Sequence, residues 1–100
     1  MEKKEFLEKI KLAVLSVDEG AEIILFGSRA RGDHKKDSDW DILIITDKGL
    51  QFQNTIRDAV YDIELDYTQA VSTIFFNRLH WNKMAITGFY ENVINEGVAL

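Results

Sequence analysis

Two carboxylates, Asp39 and Asp41, stand at alternate positions where a polar segment meets the apolar run "WDILII". Side chains two residues apart in a strand point to the same face, so these two acids would lie side by side. Two carboxylates this close repel each other unless a cation lies between them or one binds a proton. Mg²⁺ suits such a pair, because it is commonly held by one or two carboxylates and completed by water and substrate phosphates. A site of this kind performs phosphoryl or nucleotidyl transfer by holding the attacking and leaving oxygens.

A second polar segment, "GSRARG", follows another apolar run, "AEIILF". Gly27 permits a sharp turn and a close approach of the backbone to a ligand. The residues after it offer backbone N–H groups at the start of a helix, where phosphate binds well, and Ser28 adds a hydroxyl donor. Arg29 or Arg31 would neutralise the β- and γ-phosphates, and Arg31 is favoured because Gly32 leaves it room. Together the two polar segments predict a triphosphate site next to a metal site.

Hydrophobic periodicity predicts the elements that position these residues. Helices are expected at 5–17, 51–65, 78–85 and 88–97, with a short helix inside "GSRARGD", and strands at 21–26, 40–46 and 70–76. The part 61–67 also alternates as a half-buried strand would, but the length of the whole segment favours a helix to about Leu65. Trp40 should point away from both aspartates, into packing. The order α-β-α-β-α-β-α-α predicts an α+β fold, a small three-stranded mixed sheet with helices packed against it.

Length and composition fit one globular domain over 1–100, with 46% apolar and 29% charged residues. No apolar run approaches the length of a membrane span or a signal peptide, so we expect a cytoplasmic protein with no membrane partner. The lack of cysteine excludes disulfides and thiolate metal sites. The net charge of −5 disfavours extended nucleic-acid binding, because such binding depends on lysine and arginine.

The pair "FGSRARG" and "SDWDILI" resembles the signature of the nucleotidyltransferase superfamily related to DNA polymerase β. Residues 26–28 match its first half and residues 39–42 its second, with ten residues, 29–38, between Ser28 and Asp39. The resemblance implies a polymerase-β-like nucleotidyltransferase palm. It further implies that Asp39 and Asp41 are catalytic metal ligands for Mg²⁺. The reaction it implies is the transfer of NMP, above all AMP from ATP, to an acceptor hydroxyl.

The short chain is similar to the minimal members of that superfamily. Many of those proteins are encoded beside a HEPN-domain protein and act as the antitoxin of a toxin–antitoxin pair. Some of them inactivate the toxin by transferring AMP to one of its tyrosines. The resemblance therefore implies a nucleoside triphosphate and a HEPN-type protein as partners, with a hydroxyl of that protein as the acceptor.

The third carboxylate of the family's metal site has no clear counterpart in this chain. It usually lies on the strand after the long helix, where "AVSTIFF" contains no acid and Ser72 or Thr73 stands near its place. If 61–67 were a strand, Glu64 or Asp66 would be candidates for the third metal ligand; on a helix both would be solvated.

The loss of that third carboxylate as general base would cost roughly 10²–10⁴-fold in rate. Two alternatives therefore stay open, a slow transferase and a nucleotide-binding module that acts as an antitoxin by direct contact. A weaker third reading, a transferase that modifies antibiotics, normally needs a further domain.

Overall fold

A computed structural model describes residues 3–100 as five helices, four strands and one 3₁₀ turn. The helices are α1 (Lys3–Val17), α2 (Ser28–Arg31), α3 (Leu50–Tyr67), α4 (Arg78–Lys83) and α5 (Gly88–Glu96). The strands are β1 (Glu22–Phe26), β2 (Trp40–Ile45), β3 (Val71–Phe76) and β4 (Val98–Ala99). The 3₁₀ turn, Met84–Ile86, joins α4 to α5. The predicted α+β class is confirmed.

The four strands form one mixed sheet in the order β3-β2-β1-β4. β1 is antiparallel to both β2 and β4, and β2 is parallel to β3, to which α3 connects it. The prediction of three strands was one short. β4 has only two residues, which pair with Ile24 and Leu25 through the main chain, and a two-residue strand carries no alternating side-chain pattern from which it could be recognised.

The ambiguous segment 61–67 is helical, as its length favours. α3 continues to Tyr67 and ends where Thr68 adopts a left-handed backbone with φ 53°. Ile56 and Val60 form the buried stripe of this helix, so tertiary packing rather than local alternation decides its conformation. Neither α3 nor any other helix within residues 3–100 is long and apolar enough to cross a membrane.

The two faces of the sheet are covered by different helices. One face packs against α1 and α3, and its core is Phe6, Ile10, Val14, Ile23, Leu25, Trp40, Ile42, Ile44, Ile56 and Val60. The opposite face packs against α4 and α5, and its smaller core is Leu43, Ile45, Trp81 and Val93. Strand alternation places Asp41 on this second face, with Leu43 and Ile45. Asp41 therefore lies on the face whose buried core is smaller.

Candidate active site

The turn from β1 into α2 brings the backbone of Gly27 against the carboxylate of Asp41. Phe26 pairs with Asp41 across the β1–β2 ladder, so the next residue of the turn meets the start of β2. Gly27 has φ 75° and ψ −159°, a combination open essentially to glycine alone. A Cβ atom on Gly27 would overlap Oδ2 of Asp41 and lie 3.2 Å from its Cγ. Both the backbone conformation and the neighbouring carboxylate therefore require glycine.

The structure brings Asp39 and Asp41 together at the N-terminal end of β2. Burial raises the pKa of Asp41, and the negative charge of Asp39 raises it further, whereas Arg31 lowers it. Trp40, between the two acids in sequence, is buried in the opposite face of the sheet, as predicted. Asp39 is exposed and lies one residue before the ladder begins. A cation would relieve the repulsion between these two neighbouring carboxylates.

The donor set at this end of β2 fits a hard divalent cation that is shared with a phosphate ligand. Mg²⁺ takes one or two protein carboxylates and completes its octahedral shell with water and phosphate oxygens. Across residues 3–100, no group of three or more His, Cys, Asp or Glu side chains is arranged to hold a metal alone. A pair of carboxylates such as Asp39 and Asp41 would leave the rest of the ion's shell to water and phosphate oxygens.

Arg31 lies at the edge of this acid pair, close enough to lower the pKa of Asp41. Its guanidinium donates to Asp33 Oδ2 at 3.2 Å and to Glu96 Oε2 at 2.8 Å. These two hydrogen bonds raise the pKa of Arg31, which therefore stays charged. Its side chain is 46% exposed and accessible to a phosphate group. Sequence analysis missed Glu96, because 65 residues separate it from Arg31 and no local pattern links the two.

Arg29, the alternative phosphate ligand, is turned inward and is only 8% exposed. Its Nε and Nη2 donate to the Ser38 carbonyl at 3.2 and 2.9 Å, and Nη2 also donates to the Lys36 carbonyl at 3.1 Å. The guanidinium stacks on Trp40, 4.3 Å from the ring centroid. Residues two apart on a helix point about 200° away from each other, so Arg29 and Arg31 had to diverge. The structure thus commits Arg29 to the protein interior and leaves only Arg31 facing solvent.

Ser28 begins α2, with Gly27 as its N-cap. The Gly27 carbonyl accepts hydrogen bonds from the N–H groups of Ala30 and Arg31, at 3.1 and 3.0 Å. The first N–H groups of a helix have no acceptor within the helix, so those of Ser28 and Arg29 are available to a ligand. These N–H groups and the Ser28 hydroxyl are the donors on which the predicted phosphate cradle depends.

Ser72 is the residue of β3 that lies beside Asp41 in the sheet. Asp41 pairs in register with Ser72 and Ile42 with Thr73, so Ser72 shares the face of Asp41 and Thr73 points to the opposite face. Ser72 is exposed. Its hydroxyl is the polar group that β3 adds to the site.

Glu64, which the sequence left as a candidate for the third metal ligand, does not lie with Asp39 and Asp41 in a group that could hold a metal. It lies on α3, which packs on the opposite face of the sheet. Its Oε1 accepts a hydrogen bond from the Val71 N–H at 2.7 Å. A ligand role for Glu64 required a strand at 61–67, and the structure has a helix there. Glu64 instead caps the first residue of β3.

The sequence model of the nucleotidyltransferase domain matches residues 7–100. The matched range includes Gly27, Asp39, Asp41 and the strands that carry them. This chain belongs to the nucleotidyltransferase domain family. The family match confirms the resemblance of the signature, and with it the polymerase-β-like nucleotidyltransferase fold class.

This nucleotidyltransferase domain is similar to two proteins of Methanocaldococcus jannaschii. The one named "Putative protein adenylyltransferase MJ0604" is 37% identical over 78 residues, which are 78% of this chain and 75% of that protein. The one named "Putative protein adenylyltransferase MJ0141" is 33% identical over 97 residues, which are 95% of this chain and 91% of that protein.

Among solved structures, one of Cid1, described with RNA terminal uridylyl transferase activity, is similar to this chain with a TM-score of 0.49 and 21% identity. It is a much longer protein, because the match covers 91% of this chain and 37% of that one. This likeness is too distant to bear on the chemistry of the site.

Proposed function

We propose that this nucleotidyltransferase domain transfers AMP from ATP, with Mg²⁺, to a hydroxyl group of a partner protein. The observation that carries the proposal is the contact between Gly27 and Asp41. It sets the backbone donors of the turn directly beside the acid pair, so a triphosphate bound at the turn lies against the metal ligands. Two relatives named as protein adenylyltransferases support ATP as the donor and a protein as the acceptor.

In this reaction the acceptor oxygen forms a bond to the α-phosphorus of ATP while the bond from that phosphorus to the β-bridging oxygen breaks. Pyrophosphate leaves, and the hydroxyl proton passes to solvent or to a base. Bound Mg²⁺ neutralises and orients the phosphate oxygens. Asp39 and Asp41 hold that ion, Arg31 binds the departing phosphates, and the turn at Gly27 and Ser28 donates hydrogen bonds to them.

The partner we propose is a HEPN-type protein, and the pair would act as toxin and antitoxin in the cytoplasm. The support for this partner is the resemblance of the signature to that of minimal nucleotidyltransferases. The net charge of −5 supports a protein rather than a nucleic acid as the acceptor.

A second candidate function is a nucleotide-binding module that neutralises its partner by contact alone. The position of Ser72 favours it, because a hydroxyl stands where the family places a carboxylate that can act as general base. Removal of a general base costs roughly 10²–10⁴-fold in rate. A chain with so weak a reaction would retain the site for binding.

Calorimetry of ATP binding, with and without Mg²⁺, tests the site. We expect the wild type to bind ATP only with Mg²⁺ and Asp39→Asn and Asp41→Asn to lose this binding. Asp58→Asn, at an exposed position of α3, makes the same change of charge elsewhere and should bind like the wild type. ATP binding that ignores both aspartates would contradict the proposal.

Transfer of labelled AMP to a co-expressed HEPN-type partner then separates the two candidate functions. Label on the partner that disappears in Asp41→Asn supports the transferase. Neutralisation of the partner that survives in Asp41→Asn, with no label, supports the contact mechanism instead.

A further inference from the structure

We propose that Arg29 is the positioning residue for Asp39. It touches neither the acid nor any group that would react, and it acts through the two residues that flank Asp39 in sequence. The inference rests on the proposed function in one respect, that Asp39 is a metal ligand. Its structural part, that Arg29 fixes the backbone around Asp39, stands independently of that function.

The need for such a residue follows from where Asp39 lies. Asp41 belongs to β2 and is paired on both sides, with Phe26 and with Ser72. Asp39 lies before the first ladder residue, at the end of the irregular loop 33–39. The ladder therefore pairs Asp41 on both sides but gives Asp39 no partner, and an exposed loop residue without support samples many conformations.

Arg29 supplies that support from both sides. The peptide that joins Ser38 to Asp39 is fixed by two hydrogen bonds from Arg29, at 3.2 and 2.9 Å to the Ser38 carbonyl. The residue after Asp39, Trp40, is stacked under the same guanidinium at 4.3 Å. The same Nη2 also holds the Lys36 carbonyl, further back in the loop, at 3.1 Å. One planar side chain thus holds the backbone before Asp39 and the side chain after it.

Trp40 is itself buried and held by contacts on several sides. It is 1% exposed, its indole N–H donates to Gln69 Oε1 at 2.9 Å, and its ring packs 5.1 Å from the ring of Phe6. Its backbone N–H donates to the Ala70 carbonyl at 2.9 Å. Arg29 therefore connects the loop to the fully formed core.

Burial of a charged guanidinium lowers the stability of the fold unless its N–H groups are hydrogen-bonded. None of the ion pairs within residues 3–100 includes Arg29; carbonyl oxygens and an aromatic face stabilise its charge. A lysine cannot reproduce the fork that reaches Ser38 and Lys36 while stacking on an indole. Arg29→Lys is therefore a specific test of the geometry.

Terbium luminescence measures this positioning without any reaction. Tb³⁺ is a hard cation whose emission is sensitised by nearby tryptophan, and Trp40 lies between the two acids in sequence. We expect Arg29→Lys to raise the Kd for Tb³⁺ about tenfold, at the low end of the effect of residues that orient metal ligands. The matched control is Arg57→Lys, which also removes an arginine stacked on an aromatic ring, Phe75 at 4.9 Å, but far from the loop 33–39. It should leave the Kd unchanged.

A double-mutant cycle identifies Asp39 as the residue through which Arg29 acts. In an Asp39→Asn background, Arg29→Lys should change the Kd for Tb³⁺ by less than about twofold, since the ligand to be positioned is gone. An undiminished tenfold effect in that background would show that Arg29 acts on the fold in general and would overturn the inference. Where Arg29→Lys yields little folded protein, Arg29→Gln keeps one donor nitrogen without a buried charge and gives the same comparison.

Hydrogen exchange separates a failure of the inference from a failure of the proposed function. In Arg29→Lys the amides of residues 36–40 should exchange faster than in the wild type, while those of β2 beyond Asp41 should not. Unchanged exchange at 36–40 overturns the inference whether or not metal binds. Wild-type protein that binds Tb³⁺ no better than Asp39→Asn contradicts the metal site, and so the proposed function, while the exchange result still decides the role of Arg29.

Discussion

Two halves of the candidate site are positioned by different kinds of structure. The strand-held half consists of Asp41 on β2, Ser72 beside it on β3, and Gly27, which follows β1 and approaches Asp41 closely. The loop-held half consists of Asp39 and the loop 33–39 before it, whose backbone Arg29 holds by side-chain hydrogen bonds. The first half is complete once the sheet has formed. The second half depends on one buried side chain as well.

This difference teaches where each half is robust and where it is fragile. A shift of β2 by one residue would carry Asp41 into the face where Ile42 and Ile44 are fully buried, so the packing of that face fixes Asp41 as well. A loop position has no such constraint and can open without the core opening. We therefore expect ligand binding at the strand-held half to be sensitive to added side-chain bulk. Binding at the loop-held half should be sensitive to loss of the Arg29 hydrogen bonds.

The largest effect should come from Gly27→Ala, in the strand-held half. The new Cβ would meet the Asp41 carboxylate, and alanine does not adopt the backbone of Gly27 without strain of about 1–3 kcal/mol. Displacement of a reacting group by about 1 Å can cost a hundredfold in rate, so we expect AMP transfer to fall at least that far, together with weaker Mg²⁺-dependent ATP binding. Calorimetry and the label-transfer assay measure the loss.

The matched control for this variant is Gly49→Ala, at the N-cap of α3. Gly49 has φ −75°, and a Cβ there meets nothing within 4 Å. It should bind ATP like the wild type. An active Gly27→Ala protein would mean that the close approach of the turn to Asp41 is not part of the site.

The strand-held half could be predicted from the sequence better than the loop-held half. The apolar runs around "GSRARG" and "SDWD" determine the strands, and two-residue periodicity then determines which face Asp41 and Trp40 take. The same periodicity singles out Ser72 over Thr73 once the parallel register is known. Register between parallel strands depends on tertiary packing, so sequence analysis left both residues open.

The loop-held half could not be predicted, because its contacts join residues that no local pattern relates. The sequence favours Arg31 over Arg29 for the phosphates only because Gly32 follows it. The helical turn of α2 is what sends Arg29 into the core and Arg31 to Glu96. β4 is hidden for the same reason, since its two residues depend on the main chain of β1. Hydrophobic periodicity thus predicts strands, but no comparable sequence pattern predicts side-chain contacts between distant residues.

Ser72→Asp adds a carboxylate to the strand-held half. It should have the next largest effect, an increase in the rate of AMP transfer. The parallel ladder already places this position beside Asp41 on the same face, so a carboxylate can be added without rebuilding the backbone. We expect AMP transfer to accelerate about tenfold, below the full contribution of a general base because the residue is not otherwise oriented. Initial rates with labelled ATP measure the gain.

Ser72→Asn controls for the size of the new side chain without its charge and should not accelerate transfer. Equal rates for the two variants would show that a missing carboxylate at Ser72 does not limit the reaction. Such a result would also remove the physical reason for the contact-only function.

Glu96→Gln tests the boundary between the two halves, where Arg31 holds the Glu96 carboxylate at 2.8 Å. That carboxylate competes with a phosphate group for the same guanidinium. Exposed ion pairs are weak, so we expect its removal to tighten ATP binding only about two- to fivefold. Glu91→Gln, an exposed acid on the same helix, changes the net charge equally and should leave the Kd nearly unchanged. Weaker ATP binding in Glu96→Gln would mean that Glu96 orients Arg31 for the phosphate instead of competing with it.

The smallest effect should appear in the stability of the metal-free protein. Asp41→Asn removes a half-buried carboxylate that lies beside the charge of Asp39, and both burial and that charge oppose its ionisation. Removing it should raise the free energy of unfolding in EDTA, by less than about 1 kcal/mol because the pair is partly solvated. Urea unfolding measures the change, with Asp58→Asn as the control for net charge.

Asp39→Asn should stabilise the metal-free protein less than Asp41→Asn does. Asp39 is exposed, so its substitution removes only the repulsion between the two acids and no cost of burial. Equal stabilisation by the two substitutions would mean that Asp39 is as buried and as firmly held as Asp41. Mg²⁺ with ATP should then stabilise the wild type more than either variant, because a ligand stabilises only the state that binds it. Equal stabilisation of all three proteins would show that neither aspartate takes part in binding Mg²⁺ and ATP.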